Sequence, residues 1–128
     1  MFILVKIIKC EDCGSIVEVL VEDSGDACDT HMTLLEPQLD GDKAPKHKPV
    51  VEIDGDTVNV KVGEVQHPMD DDHYIQFIQV IVGNEIYTKT LNPGEVPEAS
   101  FLVGADKIDA NDVIAQQYCN LHGLWSSE

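Results

Sequence analysis

Residues 46–128 show short runs of apolar residues interrupted by turn residues. In residues 57–62 valine alternates with a polar residue, which predicts a strand with one apolar face. The pattern predicts further strands at residues 49–54, 73–82, 85–91 and 100–103. Turn residues separate these strands, as at Asp54-Gly55-Asp56. Short strands, frequent turns and no long amphipathic helix together predict an all-β antiparallel sandwich.

Two segments interrupt this pattern. Residues 106–117 are the least strand-like, and Asn111 is predicted to cap a short helical turn that runs to Gln117. Residues 37–45 combine proline, glycine and polar residues, which predicts a linker. We therefore expect a small first module at residues 1–36 and a sandwich domain at residues 46–128.

The first module carries a candidate metal site. Its apolar start, residues 1–8, lacks a basic leader and a small-residue cleavage site, so a buried strand is expected rather than a signal peptide. A CxxC motif followed by glycine comes next and is typical of a metal knuckle, because the turn lets both thiolates face one ion. Residues 15–21 predict a second strand. The candidate ligands are Cys10, Cys13, Cys28 and His31, the last two in CxxH spacing.

Three interpretations of this knuckle stay open. The first is a Cys3His site for iron or zinc, with Asp29 as a weaker candidate for the fourth ligand. The second is a knuckle that binds no metal tightly and serves folding or dimerisation. The third is a disulfide between Cys10 and Cys13, which is less favoured because no export signal is recognised.

The charge balance limits the partners. The chain has 24 acidic residues against 8 lysines, no arginine, and a formal net charge of -16. Binding to nucleic acid or to an anionic membrane needs clustered lysine and arginine, so this charge balance argues against both. No apolar run approaches the roughly 18 residues that cross a bilayer. We expect a cytoplasmic protein that binds neither nucleic acid nor a membrane. An anionic substrate would need a local positive patch to be attracted to a chain of this charge.

The strongest chemical signal is the placement of histidine and cysteine in residues 46–128. All of them lie at predicted strand ends or in loops: His47, His67, His73, Cys119 and His122. Cys119 and His122 are close enough in sequence to bind one metal ion. Five such ligands exceed the four of a structural zinc site and leave one octahedral position open for a small molecule. A single thiolate ligand pushes electron density onto the metal, which favours oxygen chemistry.

Four sequence blocks carry a resemblance to a known family. The blocks are Lys46-His47-Lys48-Pro49, His67-Pro68-Met69, His73-Tyr74-Ile75 and Cys119-Asn120-Leu121-His122-Gly123-Leu124-Trp125. They resemble the signature blocks of the superoxide reductases. With the knuckle, the chain resembles the two-domain desulfoferrodoxin type, in which a small rubredoxin- or desulforedoxin-like module precedes the sandwich.

The resemblance implies an immunoglobulin-like sandwich that holds one non-haem iron. The implied ligands are four equatorial imidazoles and one axial thiolate: His47, His67, His73, His122 and Cys119. The implied reaction passes one electron from Fe2+ to superoxide, leaves Fe3+, and yields hydrogen peroxide without dioxygen. Lys46 is the implied catalytic lysine, because a cation beside the open position attracts the anion. A rubredoxin-like electron donor and a homodimer are also implied.

Two positions depart from the family pattern. Pro45 stands where members commonly have a glutamate that can ligate the ferric iron, so we expect water, hydroxide or another anion there instead. Ala27-Cys28 stands where the desulforedoxin-like module has two adjacent cysteines, so one thiolate is missing from a second iron site. Zinc or iron in a Cys3His arrangement is our inference from the residues alone.

Two other functions fit the same residues. One is a non-catalytic iron protein for electron transfer or metal binding, and the other is a structural zinc protein. Because zinc has no redox chemistry, a visible thiolate-to-iron absorption band separates zinc from iron. Rapid oxidation of the reduced protein by superoxide then separates the enzyme from an iron carrier.

Overall fold

The structure, a computed structural model, describes residues 5–21 and 31–128. The expected roles of residues 1–4, Cys28 and Asp29 lie outside the described residues. The chain forms two compact units, and the described residues divide between them after Glu36. No helix in the described ranges is long and apolar enough to cross a membrane.

Ten strands and two short helices are seen in the described residues. In chain order they are β1 Lys6–Cys10, β2 Ile16–Val19, β3 Met32–Leu35, α1 Ala44–His47, β4 Pro49–Asp54, β5 Thr57–Val62, β6 Ile75–Val82, β7 Glu85–Thr90, β8 Glu98–Leu102, α2 Ala105–Ala110, β9 Val113–Cys119 and β10 Gly123–Ser126. The first unit contains one antiparallel sheet in the order β2-β1-β3. The CxxC motif begins at the last residue of its central strand.

The second unit consists of two antiparallel sheets. One has the strand order β10-β9-β6-β7 and the other β4-β5-β8. The alternating valines of β5 are buried together with residues of β6 such as Ile78 and Val80. Alternation along β5 thus produces the apolar face that the sequence predicts. The predicted all-β antiparallel sandwich is confirmed.

Residues 111–117 do not form the predicted helical turn. Helix α2 comes earlier, and Asn111 lies at its C-terminal end, where its side-chain amide donates a hydrogen bond of 2.9 Å to the Lys107 carbonyl. Strand β9 follows and pairs with both β6 and β10. Its residues are almost all buried, so packing on both neighbours outweighs the weak strand preference of this polar sequence.

The predicted linker, residues 37–45, is part of the second unit. The backbone N–H of Gln38 donates to the Leu124 carbonyl at 2.9 Å, and the Gln38 carbonyl accepts from the Ser126 N–H at 3.0 Å. Helix α1 then begins at Ala44, with Pro45 in its first turn, where a missing N–H costs nothing. Backbone pairing at one end and a helix at the other fix this segment against the sandwich.

Candidate metal centre

Five separate points of the second unit place a metal-ligating side chain at one end of the sandwich. His47 is the last residue of α1, His67 lies in the loop after β5, and His73 lies just before β6. Cys119 is the last residue of β9, and His122 lies in the turn before β10. Each side chain therefore comes from the end of an element or a connecting loop, on a scaffold of paired strands.

Four of these side chains converge closely. One potential ligand atom from each of His47, His67, His73 and Cys119 lies within 4.8 Å of the others. The Nε2 atoms of His47 and His67 are 3.1 Å apart. Three imidazole nitrogens and one sulfur around a common point form a donor set suited to iron, zinc or copper.

His122 brings a fifth donor to the same place. Its Nδ1 atom is 3.1 Å from Nε2 of His47 and 3.9 Å from Sγ of Cys119. Its ring centroid is 5.1 Å from that of His73. The structure thus brings together all five side chains that the sequence analysis proposes as ligands of one metal.

Backbone carbonyls orient two of the imidazoles. Nδ1 of His47 lies 2.7 Å from the Lys43 carbonyl oxygen, and Nδ1 of His67 lies 2.6 Å from the Pro68 carbonyl oxygen. Because a carbonyl only accepts, Nδ1 of each ring carries the proton and donates it. The lone pair of each Nε2 is then left for a metal, which is the usual outer-shell arrangement of a metal-binding histidine.

His73 shows the clearest need for a further partner. Its Nε2 atom is buried and has no hydrogen-bond partner. Buried polar atoms are rarely left without one, because each loses its hydration without compensation. A metal ion among the neighbouring donors would supply that partner, so the residues fit a bound metal.

Burial also sets the protonation of the donors. Burial lowers the pKa of His67 to about 4, with a smaller opposing effect from the Pro68 carbonyl. Burial likewise lowers the pKa values of His47 and His122. These imidazoles are therefore neutral near pH 7, as metal binding requires. Burial raises the pKa of the Cys119 thiol. Hydrogen bonds from the backbone N–H groups of Leu121 and His122 act in the opposite direction and lower this pKa.

Comparison with known proteins identifies the family. Residues 40–128 match the family model described as Desulfoferrodoxin. A desulfoferrodoxin homolog from Methanothermobacter thermautotrophicus is 47% identical over 122 residues, which cover 94% of this chain and 95% of that protein. The chain belongs to the desulfoferrodoxin family.

Solved structures agree with this assignment. The superoxide reductase from Treponema pallidum matches with a TM-score of 0.78 and 30% identity, covering 98% of each chain. The superoxide reductase (1Fe-SOR) from Giardia intestinalis matches with a TM-score of 0.55 and 34% identity, covering 63% of this chain and 93% of that one. The likeness to the first structure extends over nearly the whole chain of this desulfoferrodoxin-family member.

Three side chains to which the sequence analysis assigns no role in the site contact the histidines: Gln117, Trp125 and Gln38. Gln117 donates from Nε2 to the His47 carbonyl at 2.8 Å. The ring of Trp125 stacks on His47 with centroids 5.2 Å apart, and its Nε1 donates to the His122 carbonyl at 3.1 Å. Gln38 donates to that same carbonyl at 2.7 Å. Gln117 lies two residues before Cys119, so period-two alternation would have placed it on the site's face had β9 been recognised.

A cavity of about 380 Å³ adjoins the centre. His47, His67, His73 and His122 line it, together with Asp42, Lys43, Pro45, Lys46, Val65 and Pro68. Both lysines are exposed, so the cavity is accessible from solvent. Two lysines against one aspartate make its lining cationic in a chain of net charge -16. Pro45 contributes only an apolar surface at the position where the family resemblance implies glutamate.

The N-terminal knuckle has a different arrangement. The N–H of Cys13 donates to Sγ of Cys10 at 3.4 Å. Sγ of Cys13 is exposed and lies 3.2 Å from the Ser15 hydroxyl. The hydrogen bond with Ser15 lowers the pKa of the Cys13 thiol to about 7. His31 pairs through Nδ1 with Asp12 at 3.0 Å. Within the described ranges, three or more convergent metal-ligating side chains are found at the sandwich site and not here. Since Cys28 lies outside those ranges, a second site with Cys10, Cys13, Cys28 and His31 stays a prediction.

Proposed function

We propose that this protein is a superoxide reductase that reduces superoxide to hydrogen peroxide. The convergence of four imidazoles and one thiolate beside a cationic, solvent-accessible cavity carries the proposal. Membership of the desulfoferrodoxin family and the likeness to a superoxide reductase structure support it. The proposed iron ligands are His47, His67, His73, Cys119 and His122.

The chain's own residues would prepare the site for an anion. When bound, iron supplies the single electron that converts superoxide and two protons into hydrogen peroxide. The carbonyls of Lys43 and Pro68 hold two imidazoles in the neutral tautomer that can bind metal. Lys46 lines the cavity and attracts superoxide toward it. Its ammonium group can also orient water for proton delivery.

The site's composition favours a redox metal over structural zinc. Structural zinc sites usually close with four ligands, whereas five donors and an adjacent cavity leave room for a small molecule. The rubredoxin-like electron donor and the homodimer remain predictions from the family resemblance.

Metal analysis with an absorption spectrum tests the proposal. We expect the purified full chain to bind iron at the sandwich site and to show a visible thiolate-to-iron charge-transfer band when oxidised. A protein that takes up zinc in preference to iron and stays colourless after oxidation would contradict the proposal. A band without rapid reaction with superoxide would indicate the non-catalytic iron protein instead.

Replacing Lys46 with alanine should slow the reaction with superoxide by about 10-fold at low ionic strength. The variant loses one of two lysines that line the cavity, so the local attraction for an anion falls. Added salt should slow the variant less than the wild type, because screening has less attraction to remove. Stopped-flow or pulse-radiolysis rates across a salt series measure both effects.

Lys61→Ala is the matched control for this variant. Lys61 is an exposed residue of β5, and its removal changes the net charge by the same amount. We expect its rate and salt dependence to stay close to those of the wild type. Equal rates for Lys46→Ala and wild type at low salt would refute the steering role of Lys46.

A further inference from the structure

One side chain joins the two segments that carry His73 and the Cys119–His122 pair. Oδ1 of Asn120 accepts a hydrogen bond of 2.9 Å from the Tyr74 N–H, and its Nδ2 donates to the Asp72 carbonyl at 3.0 Å. The Asn120 N–H donates to the Tyr74 carbonyl at 3.2 Å. These three bonds connect Asn120 to the residues on both sides of His73, namely Asp72 and Tyr74.

The bonds lie where the regular sheet stops. The ladder between β6 and β9 shifts register between Ile75 and Phe77, and its last pair is Ile75 with Cys119. Beyond that pair, the described strands offer no ladder that would hold His73 against β9. Beyond the ladder, one backbone bond, from the Asn120 N–H to the Tyr74 carbonyl, and the two bonds of the Asn120 side chain continue the connection.

The backbone of His73 is fixed by a second set of bonds. Its N–H donates to the Asp70 carbonyl at 3.2 Å, and its own carbonyl accepts from the Asp70 N–H at 3.0 Å. The backbone therefore has both of its hydrogen-bonding groups satisfied, whereas Nε2 of the ring is buried and unpartnered. The position of that ring relative to Cys119 then depends on how the 70–74 segment is tied to β9.

We infer that Asn120 is a positioning residue that sets the distance of His73 from Cys119 and His122. The inference rests on the proposed metal site and adds a residue that need not itself bind the metal. Asparagine suits this place because its amide both donates and accepts. Aspartate has nearly the same shape, but it offers no donor to the Asp72 carbonyl and places a carboxylate against it.

Cobalt binding to the full chain tests the inference. Trp125 is the only tryptophan and stacks on His47, so quenching of its fluorescence by Co2+ reports occupancy of this site. We would compare wild type, Asn120→Asp and Asn120→Ala, each also with Cys10, Cys13 and Cys28 replaced by serine to remove the thiolates of the knuckle. The thiolate-to-cobalt absorption band gives an independent view of the Cys119 bond.

We expect both Asn120 variants to bind Co2+ about 10-fold or more weakly and to show a shifted or weakened thiolate band, as loss of an outer-shell contact usually does. Asn59→Asp and Asn59→Ala are matched controls, because Asn59 is half-buried on β5 and accepts a hydrogen bond of 2.6 Å from Ser100. The controls should keep wild-type cobalt affinity and band position. Thermal unfolding of each metal-free protein separates lost stability from lost positioning.

The outcomes separate this inference from the proposed function. If wild type binds Co2+ with a thiolate band and Asn120→Asp matches its affinity and spectrum, the positioning role is overturned and the metal site stands. If wild type shows neither quenching nor a thiolate band, the metal site itself fails. Asn120→Asp keeps the shape of the native residue, so a folded variant is expected even if Asn120→Ala does not fold.

Discussion

Replacing Cys119 with serine should abolish the visible band of the oxidised protein and most of its reaction with superoxide. Cys119 is fully buried at the end of β9, and the second unit contains no other cysteine. A serine oxygen fits the same space but is a hard, protonated donor that cannot replace a thiolate. We expect the rate to fall by more than the roughly 10–100-fold that loss of an outer-shell partner costs.

Absorption spectra and superoxide kinetics on iron-loaded protein measure this effect. Cys13→Ser is the matched control, because it removes one thiol of the first unit and leaves the sandwich site intact. The control should keep the rate, and the band of Cys119 should remain. If Cys119→Ser kept both band and rate, the sulfur ligand would have been assigned to the wrong residue.

Replacing Gly63 with alanine should displace the segment that carries His47 and so disturb the metal site, although Gly63 is not itself a ligand. A Cβ atom at this buried position would lie 2.8 Å from the Pro45 carbonyl oxygen, 2.9 Å from the Lys46 carbonyl carbon and 3.0 Å from the His47 nitrogen. All three are backbone atoms of the segment that carries His47, so the segment must move as a whole. We expect the free energy of unfolding to fall by about 1–3 kcal/mol, the usual cost of overpacking.

The displacement should also weaken metal binding, by about 10-fold if it acts like the loss of an outer-shell contact. Gly94→Ala is the control, because its φ of +88° makes alanine strained while no atom lies within 4 Å of the added Cβ. That strain costs about 1–2 kcal/mol, which is similar to the effect expected at Gly63. Chemical denaturation and Trp125 quenching by Co2+ measure stability and affinity separately. Equal loss of affinity in the two variants would mean that stability alone explains the effect at Gly63.

The sandwich could be predicted because its strands follow simple alternation. Residues 57–62 alternate valine with polar residues, and they form β5 with its valines in the core. Strand β9 was missed because buried Gln116 and Gln117 break that alternation. Nε2 of Gln116 donates to Oε1 of Gln79 at 2.7 Å, and Nε2 of Gln117 donates to the His47 carbonyl, so the amide NH2 group of each has a partner distant in sequence. The periodicity of a single sequence carries no information about such partners.

The candidate ligands were predictable from residue type and position, but their supports were not. Histidine and cysteine at strand ends are visible in the sequence, and the spacing of Cys119 and His122 adds a local signal. Asn120 and Gly63 act through contacts with residues 72–74 and 45–47, which only the fold brings near them. Pairing of Gln38 with Trp125 likewise fixes a segment whose composition predicts a linker.

The most direct test of the proposed function is the reaction of the reduced, iron-loaded full chain with a pulse of superoxide. We predict rapid oxidation of the iron, about one hydrogen peroxide formed per superoxide consumed, and no dioxygen from the protein's reaction. Iron that stays reduced after the pulse would contradict the account. Dioxygen with about one peroxide for every two superoxides would contradict it equally, because that stoichiometry belongs to dismutation.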